Sequence, residues 1–395
     1  MRALRLKKNE ERRLRAGHLW VFSNEVDVAE TPLTDFEPGE AVEIQARGGK
    51  PLGTGYVNPA SLICARMCSR DRRHPFDESL LVHRIKVALS LRERLYDEDC
   101  YRLLNGEGDL LPGLVVDRYG DWLVVQITTA GIERLRDAVV AALVKVLSPR
   151  GVLLRNDAAV RELEGLPRYV EVAHGEVPEC VELHEGGLRF SVDLHAGQKT
   201  GWFYDQRDNR FGLRRLCAGK RVLDLYSYVG GWGLNAAAGG ASEVTLVDSS
   251  VAALGLAAQN AAANGFAERV RGLCEDAPQA MRGLRDAGEK FDVVVLDPPA
   301  FIKRKRNFKA GLQGYHAINR QAMQLLARDG ILVSCSCSHH MPRERLQRVL
   351  LDSARHLDRS LQLLQHGHQS ADHPIHPAIA ESDYLKVLTT RVLPA

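Results

Sequence analysis

The stretch RVLDLYSYVGGWGLNAAA, residues 221–238, runs from a string of apolar residues through a glycine cluster into alanines. Apolar residues bounded by glycine read as a buried strand, and the alanine-rich continuation reads as a helix laid against it. The same pattern recurs toward the C-terminus in EVTLVDSS (243–250), RVRGLCEDA (269–277), FDVVVLDPPAF (291–301) and ILVSCSCS (331–338), with helical segments between them. Strands that are apolar along their whole length, alternating with helices, predict a parallel sheet covered on both faces and joined by right-handed crossovers. The expected fold class is α/β, with a doubly wound domain over residues 189–395. Ligands of such sheets sit at the carboxyl ends of the strands, so the strand-end residues are the candidates for function.

Upstream the pattern changes. Residues 1–72 carry short β-type runs (HLWVFS, AVEIQA, LGTGYV, SLICARM) broken by Pro and Gly, which predicts a small β-rich module. After the polar seam SRDRRHPFDES, residues 73–188 combine an amphipathic helix from position 79, a helix near 132–147 and the strands YRLLN, LVVDRYG, WLVVQITT and GVLLRN, a second, α+β unit. A chain of 395 residues, 26% charged and 45% hydrophobic, has room for these cores. Its net charge of +3 names no partner, but the charge is uneven. MRALRLKKNEERRLR at the N-terminus holds seven Lys/Arg against two Glu, and IKRKRNFK at 302–309 holds five with no acid. No apolar run is long enough for a signal peptide or a membrane span, so the expected location is the cytoplasm, with no membrane partner. The eight Cys lack CxxC pairs and are expected to be reduced. Cys335, Cys337, His339 and His340 crowd into six residues and would hardly close a zinc tetrahedron, so no metal is expected.

At the strand ends the residue types point to a nucleoside. The first strand ends in Asp224 and leads through Tyr226 to Gly230, Gly231 and Gly233, where the backbone can turn tightly beneath a ligand. The second ends in Asp248, whose carboxylate suits both hydroxyls of a ribose, and the third leads to Glu275 and Asp276, placed toward an adenine edge. One such acid reads equally well as a helix cap; three at successive strand ends outline a pocket. The glycines do not spell GxGxxG and no Gly-Lys-Ser/Thr loop is present, which argues against a pyrophosphate cradle. S-adenosylmethionine needs no such cradle, and acidic strand ends suit its positive charge.

The fourth strand places Asp297 at its tip ahead of a stiff Pro-Pro, and the fifth, expected beside it at about 4.8 Å, carries Cys337 to its end. Asp297 and Cys337 are therefore expected neighbours, with Cys335 one residue pair deeper as packing. A thiol, an acid and a methyl donor in one cleft point to methylation of a carbon that is not itself nucleophilic, such as C5 of a pyrimidine. Addition of a thiolate at C6 makes C5 electron-rich, and Asp297 can hold the N3 and N4 edge of cytosine. Amino-group methyltransferases acting on bases usually carry Asn-Pro-Pro-aromatic here, where this chain has Asp297 and Ala300.

The segments HAGQKTGWFYDQRDNR (195–210), VLDLYSYVGGWG, VVLDPPAF, GYHAIN (314–319), SCSCS, and ADHP followed by YLK resemble the bacterial 23S ribosomal RNA cytosine-C5 methyltransferases. LWVFSNEV, NPASLICARM and GEGDLLPGLVVDRYGDWLVVQ resemble that family's N-terminal and central domains, so the resemblance runs the whole chain. It implies a PUA RNA-binding domain over 1–72, an EEHEE-type domain over 73–188, and a class I Rossmann-like methyltransferase domain over 189–395. The implied reaction is methylation of a cytosine of 23S rRNA with S-adenosylmethionine as cofactor. By position, Cys337 matches the family's nucleophile and Asp297 its base-holding acid. Asp224, Asp248 and Asp276 match the cofactor acids, and Gln198, Lys199, Thr200 and Phe203 lie in a segment that borders the cofactor in relatives. Two departures concern the nucleophile's surroundings: relatives often carry a non-cysteine where Cys335 stands and a small residue where His339 stands.

An RNA substrate gives the basic runs a purpose. Lys7, Lys8, Arg12, Arg13 and Arg15 would contact phosphates from the first module, and Lys303, Arg304, Lys305, Arg306 and Lys309 from the loop after DPPAF, with Phe308 available to stack on a base. The target base must leave its stack, so free rRNA or an early precursor is the expected partner. Two other readings compete: an RNA guanine or adenine amino-methyltransferase on the same fold, and a non-catalytic RNA-binding assembly factor.

Overall fold

Residues 1–394 are described by a computed structural model, in which all five apolar runs become strands of one seven-stranded sheet. We number them β1 (Arg221–Leu225), β2 (Glu243–Asp248), β3 (Val270–Cys274), β4 (Phe291–Leu296) and β5 (Leu326–Ser336), followed by β6 (Arg359–Gly367) and β7 (Lys386–Pro394). The order across the sheet is β3-β2-β1-β4-β5-β7-β6. The first five strands run parallel, and β7 inserts antiparallel between β5 and β6. This is an α/β, doubly wound, Rossmann-like sheet. β6 and β7 have no counterpart in the expectations from sequence. RSLQLLQHG at β6 forms a half-exposed sheet edge, so it lacks the continuous apolar run that marks the buried strands.

The helices joining these strands are α1 (Arg207–Leu213, ahead of β1), α2 (Gly231–Ala238), α3 (Val251–Ala263), α4 (Ala277–Asp286), α5 (Phe308–Leu325) and α6 (Arg343–Arg355). α2 is built from small residues because it lies directly on the sheet. A Cβ on Gly233 would come within 2.2 Å of Leu246 on β2. On one side of the sheet, Leu223, Leu225, Val294, Leu296 and Leu332 pack with Tyr315, Ile318 and Met323 of α5 and Leu346 and Leu350 of α6. Each such aliphatic side chain contributes about 1.5–3 kcal/mol on full burial, which holds the carboxyl ends of β4 and β5 in fixed register.

By its contacts the chain forms two compact units: 1–181 with 193–204 and 371–382, and 182–192 with 205–370 and 383–395. The first unit contains two five-stranded sheets. One is formed by Arg2–Arg5, Glu40–Gln45, Pro51–Val57, Ala65–Ser69 and Trp20–Val21 in that order, the other by Tyr169–Gly175, Gly151–Asn156, Trp122–Ile127, Leu114–Tyr119 and Cys100–Asn105. Its long helix, Glu78–Leu95, starts at Asp77, whose carboxylate accepts from the Leu80 amide at 3.0 Å. The grouping differs from the three-segment division of the sequence in giving 193–204 and 371–382 to this unit. Polar contacts explain it. The fully buried Arg92 donates to both oxygens of Asp109 (2.6 and 2.8 Å) and to the Asp372 carbonyl (2.7 Å), while Arg155 donates to the carbonyls of Leu194 and Gly197. Among the described residues, no helix is long and apolar enough to cross a membrane.

Candidate active site

The register of β4 and β5 sets Leu296 opposite Ser334, so Asp297 and Cys335 follow at one level, and Cys337 stands just past the last residue of β5, Ser336. This resolves the two cysteines. The Cys335 side chain is fully buried, and burial first of all pushes its thiol well above the ordinary range, with Asp297 adding to the shift and a hydrogen bond from Gln206 opposing it. Cys337 is half-exposed at the rim.

Asp297 is oriented from two sides. Its Oδ2 accepts from Gln206 Nε2 at 3.0 Å and from Trp232 Nε1 at 3.1 Å. The Gln206 amide is itself fixed, because its Oε1 accepts from Asn209 Nδ2 at 2.9 Å, and Asn209 also donates to the His368 carbonyl at 2.9 Å. Both donors to Asp297 are neutral, so the carboxylate is held without being paired to a cation by them.

The peptide on either side of Cys337 is pinned as well. The Tyr315 hydroxyl shares hydrogen bonds with Ser336 Oγ (2.8 Å) and Ser338 Oγ (3.0 Å), and Ser338 Oγ accepts from the Ile302 amide at 3.3 Å. Lys386 Nζ donates to the carbonyls of Ser338 and Tyr384, each at 2.8 Å. Segments far apart in the chain, DPPAFI, GYHAIN, SCSCS and YLK, thus converge on one strand end.

Next to β1 the loop into α2 is strained. Tyr226 (φ 65°) and Tyr228 (φ 50°) both adopt left-handed backbone ahead of Gly230 (φ 88°), at a cost of about 1–2 kcal/mol for each tyrosine. Asp248 holds the loop: its Oδ2 accepts from the Tyr228 amide and its Oδ1 from the Ser250 amide, both at 2.9 Å. An ionised carboxylate offers about four acceptor positions, so Asp248 keeps capacity for the two hydroxyls of a ribose. Asp276 is exposed at the start of α4, and Tyr226, half-buried, has its phenol raised to about 12 by burial, with Asp276 adding. Asp224 behaves differently from the other two acids. It is fully buried, its Oδ2 accepts from the Gly233 amide at 2.8 Å, and its Oδ1 has no partner. Burial first, then Asp297 and Asp248, raise its pKa well above the carboxylate range. Asp224 therefore acts through the N-terminus of α2, whose backbone it holds. This arrangement, two acids at the surface of a tight loop and a third beneath it, fits adenosine and its amino-acid extension.

Gln198, Lys199, Thr200 and Phe203 belong to the first unit. There the buried Thr200 hydroxyl donates to Asp117, Tyr119 donates to the Thr200 carbonyl at 3.0 Å, and the Lys199 ammonium stands 4.4 Å over the Phe203 ring. Of the N-terminal basic residues, Lys7, Lys8, Arg12 and Arg15 are exposed and Arg13 is half-buried; Arg13 donates to Glu25 and Lys7 to the Asn24 carbonyl. The basic residues of 303–309 are all exposed; Phe308 is half-buried against the core below, which limits what it can offer a base. Among the described residues, no group of three or more His, Cys, Asp or Glu could hold a metal ion. Gln206, Trp232, Tyr315 and Lys386 did not emerge from the sequence as site residues. Each stands in a segment that carried the family resemblance, DQRDNR, GGWG, GYHAIN and YLK, and that was the available signal.

Comparison with known proteins shows the family and the fold. Residues 166–389 match the model of the S-adenosylmethionine-dependent methyltransferases, and residues 4–70 match that of the PUA-like domains. The chain is 40% identical over 391 residues to ribosomal RNA large subunit methyltransferase I of Aeromonas salmonicida (strain A449), covering 98% of both proteins. It is 38% identical over 396 residues to the protein of the same name from Klebsiella pneumoniae subsp. pneumoniae, again with 98% of both covered. Among solved structures, a methyltransferase complexed with SAH superposes with a TM-score of 0.85 at 23% identity, over 99% of this chain and 100% of that one, which shows the shared fold.

Proposed function

The chain belongs to the S-adenosylmethionine-dependent methyltransferase family, and we propose that it methylates C5 of a cytosine in 23S ribosomal RNA through a covalent bond from Cys337 to C6. The observation that carries this reading is the half-exposed thiol of Cys337 at the end of β5, beside the strand whose end holds Asp297 clamped by Gln206 and Trp232. The names of the relatives support the large-subunit RNA as substrate.

S-adenosylmethionine, when bound, supplies a methyl group on a positively charged sulfur. The residues of this chain prepare the acceptor. The Cys337 thiolate bonds to C6, which makes C5 nucleophilic enough to take the methyl; a base then removes the C5 proton, and the S–C6 bond breaks to restore the ring and the thiolate. Asp297 accepts from the cytosine N4 amino group and, when protonated, donates to N3 as charge builds on the ring. Gln206 and Trp232 hold that carboxylate in one orientation, so the target base meets a prearranged edge. Asp248 takes the ribose of the cofactor, while Tyr226, Gly230 and Asp276 border its adenosine. Lys303 to Lys309 contact phosphates of a single strand whose target base has left its stack, which favours free rRNA or an early precursor in the cytoplasm.

Cys337→Ala lowers the yield of 5-methylcytosine by at least about a thousandfold, whereas Cys335→Ala still forms product. Nucleoside mass spectrometry on rRNA from a deletion strain and its parent reads the modification itself. A methyl group on an exocyclic amine, or full turnover by Cys337→Ala, overturns the reading.

A further inference from the structure

Lys386 begins β7 directly opposite Ser336, where β5 hands over to Cys337. It is the one lysine among the buried residues, with 5% of its surface exposed. Its ammonium donates to two carbonyl oxygens, those of Tyr384 and of Ser338, the residue immediately after the nucleophile. Neither acceptor carries a charge, and an ammonium has three donors. A cation withdrawn from water with carbonyls alone as hydrogen-bond acceptors is costly, and the ionisable groups in its electrostatic range are Asp383, the Cys337 thiol and Arg343.

Lys386 and Cys337 feel one another. Burial above all brings Lys386 down to about 8, against the opposing pull of Asp383 and Cys337 and with Arg343 adding to it. Tyr315 and Cys335 also stand in electrostatic range of Cys337, and burial raises the pKa of both, so they remain uncharged at neutral pH. His339 and His340 follow on the same loop, their rings 5.1 Å apart.

We propose that Lys386 is the positioning residue that keeps Cys337 in its thiolate form, its ammonium anchored beside the sulfur by the carbonyls of Ser338 and Tyr384. The proposal rests on the reading of Cys337 as the nucleophile. In forming the thiolate the S–H bond breaks and the proton passes to solvent; Lys386 keeps its three N–H bonds and forms none to sulfur. An ordinary thiol, with a pKa near 8.5, is only a few per cent thiolate at pH 7, so a neighbouring cation raises the reactive fraction directly. The direction with pH follows from the lysine. Below about 8 the ammonium is present and the thiolate is favoured; as pH rises past that value the charge is lost and the advantage fades.

The test is the alkylation of Cys337 by iodoacetamide in the full-length protein across pH, followed peptide by peptide by mass spectrometry, with the exposed Cys274 as internal reference. In the wild-type protein the Cys337 rate reaches half its maximum at least about one pH unit below an ordinary thiol. Lys386→Met moves that midpoint up by about one unit and slows the reaction about tenfold at pH 7, while above about pH 9 the two proteins converge. Lys386→Arg keeps the low midpoint. A wild-type Cys337 that titrates at or above Cys274 overturns the proposal without any variant, so a folding failure of Lys386→Met does not protect it. Cys337→Ala separates the two layers. If it still makes 5-methylcytosine, the nucleophile reading fails; if it is inactive and the wild-type thiol titrates ordinarily, the role of Lys386 alone fails.

Discussion

The basic run at residues 7–15 and the basic run at residues 303–309 look alike in composition, and the fold treats them differently. In the first, a short helix over Glu11–Arg15 turns Arg13 inward, where it donates to both oxygens of Glu25 at 2.7 and 2.8 Å and to the Trp20 carbonyl, and stacks 4.6 Å over the Phe22 ring. Lys7 donates to the Asn24 carbonyl, and Arg15 lies 3.9 Å from Glu11. In the second run, which leads from β4 into the first turn of α5, Lys303, Arg304, Lys305, Arg306 and Lys309 are all exposed and have no side-chain partner among the described residues. A guanidinium bonded to a carboxylate has its charge and donors committed within the fold, whereas an exposed cation held by water and counterions releases them when it meets a phosphate. Density of charge alone therefore does not tell which cations remain free to meet a phosphate.

The largest effect expected from this contrast is in the loop. Replacing Lys303, Arg304, Lys305 and Arg306 by alanine lowers affinity for single-stranded rRNA fragments by about a hundredfold or more at low salt. It also reduces the slope of log K against log salt by about 3, at roughly 0.7 per phosphate contact. Filter binding across a salt series reads both, and an unchanged slope breaks the comparison outright. Arg13→Ala reverses the pattern. It destabilises the first unit by about 1–2 kcal/mol, through loss of a two-oxygen ion pair and the stacked ring, with RNA affinity kept within about twofold. Urea denaturation against the same binding assay tests it, and a large binding loss at unchanged stability would move Arg13 into the RNA contact set. The smallest effect belongs to the double substitution of Lys8 and Arg12, two exposed cations of the N-terminal run whose side chains make no bond within the fold among the described residues. It reduces the salt slope by at most about 1.4 and leaves stability within about 0.5 kcal/mol. A slope change as large as the loop's would show that the first unit binds RNA as strongly as the second.

The same division between local and distant information runs through the active site. The strand-end placement of Asp248, Asp276, Asp297 and Cys337 was legible because strand ends in a parallel sheet are recognisable from apolar runs, and those four stand at the runs' ends. Asp224 was legible as a strand-end acid, but its burial under Gly233 was not, since the same pattern serves an acid that faces a ligand and one that holds a loop from below. Gln206 lies ahead of β1 and reaches Asp297 across 91 positions of chain. No periodicity connects two such residues, and only their shared place beside the sheet does. β6 escaped because a half-exposed edge strand carries a weak apolar signal, and β7, buried between β5 and β6, escaped because Thr389, Thr390 and Arg391 break its apolar run.

By itself the sequence determined the doubly wound sheet, the order of its first five strands along the chain, and the residue types at their carboxyl ends, because continuous burial and glycine turns are properties of neighbouring residues. The tertiary structure alone decided that Cys335 is sealed and Cys337 is half-exposed, that Gln206 and Trp232 share Asp297, and that Lys386 donates to the carbonyl of Ser338, the residue after Cys337. Those outcomes depend on which surfaces pack together, and a strand's pattern records that a side chain is covered without recording by what.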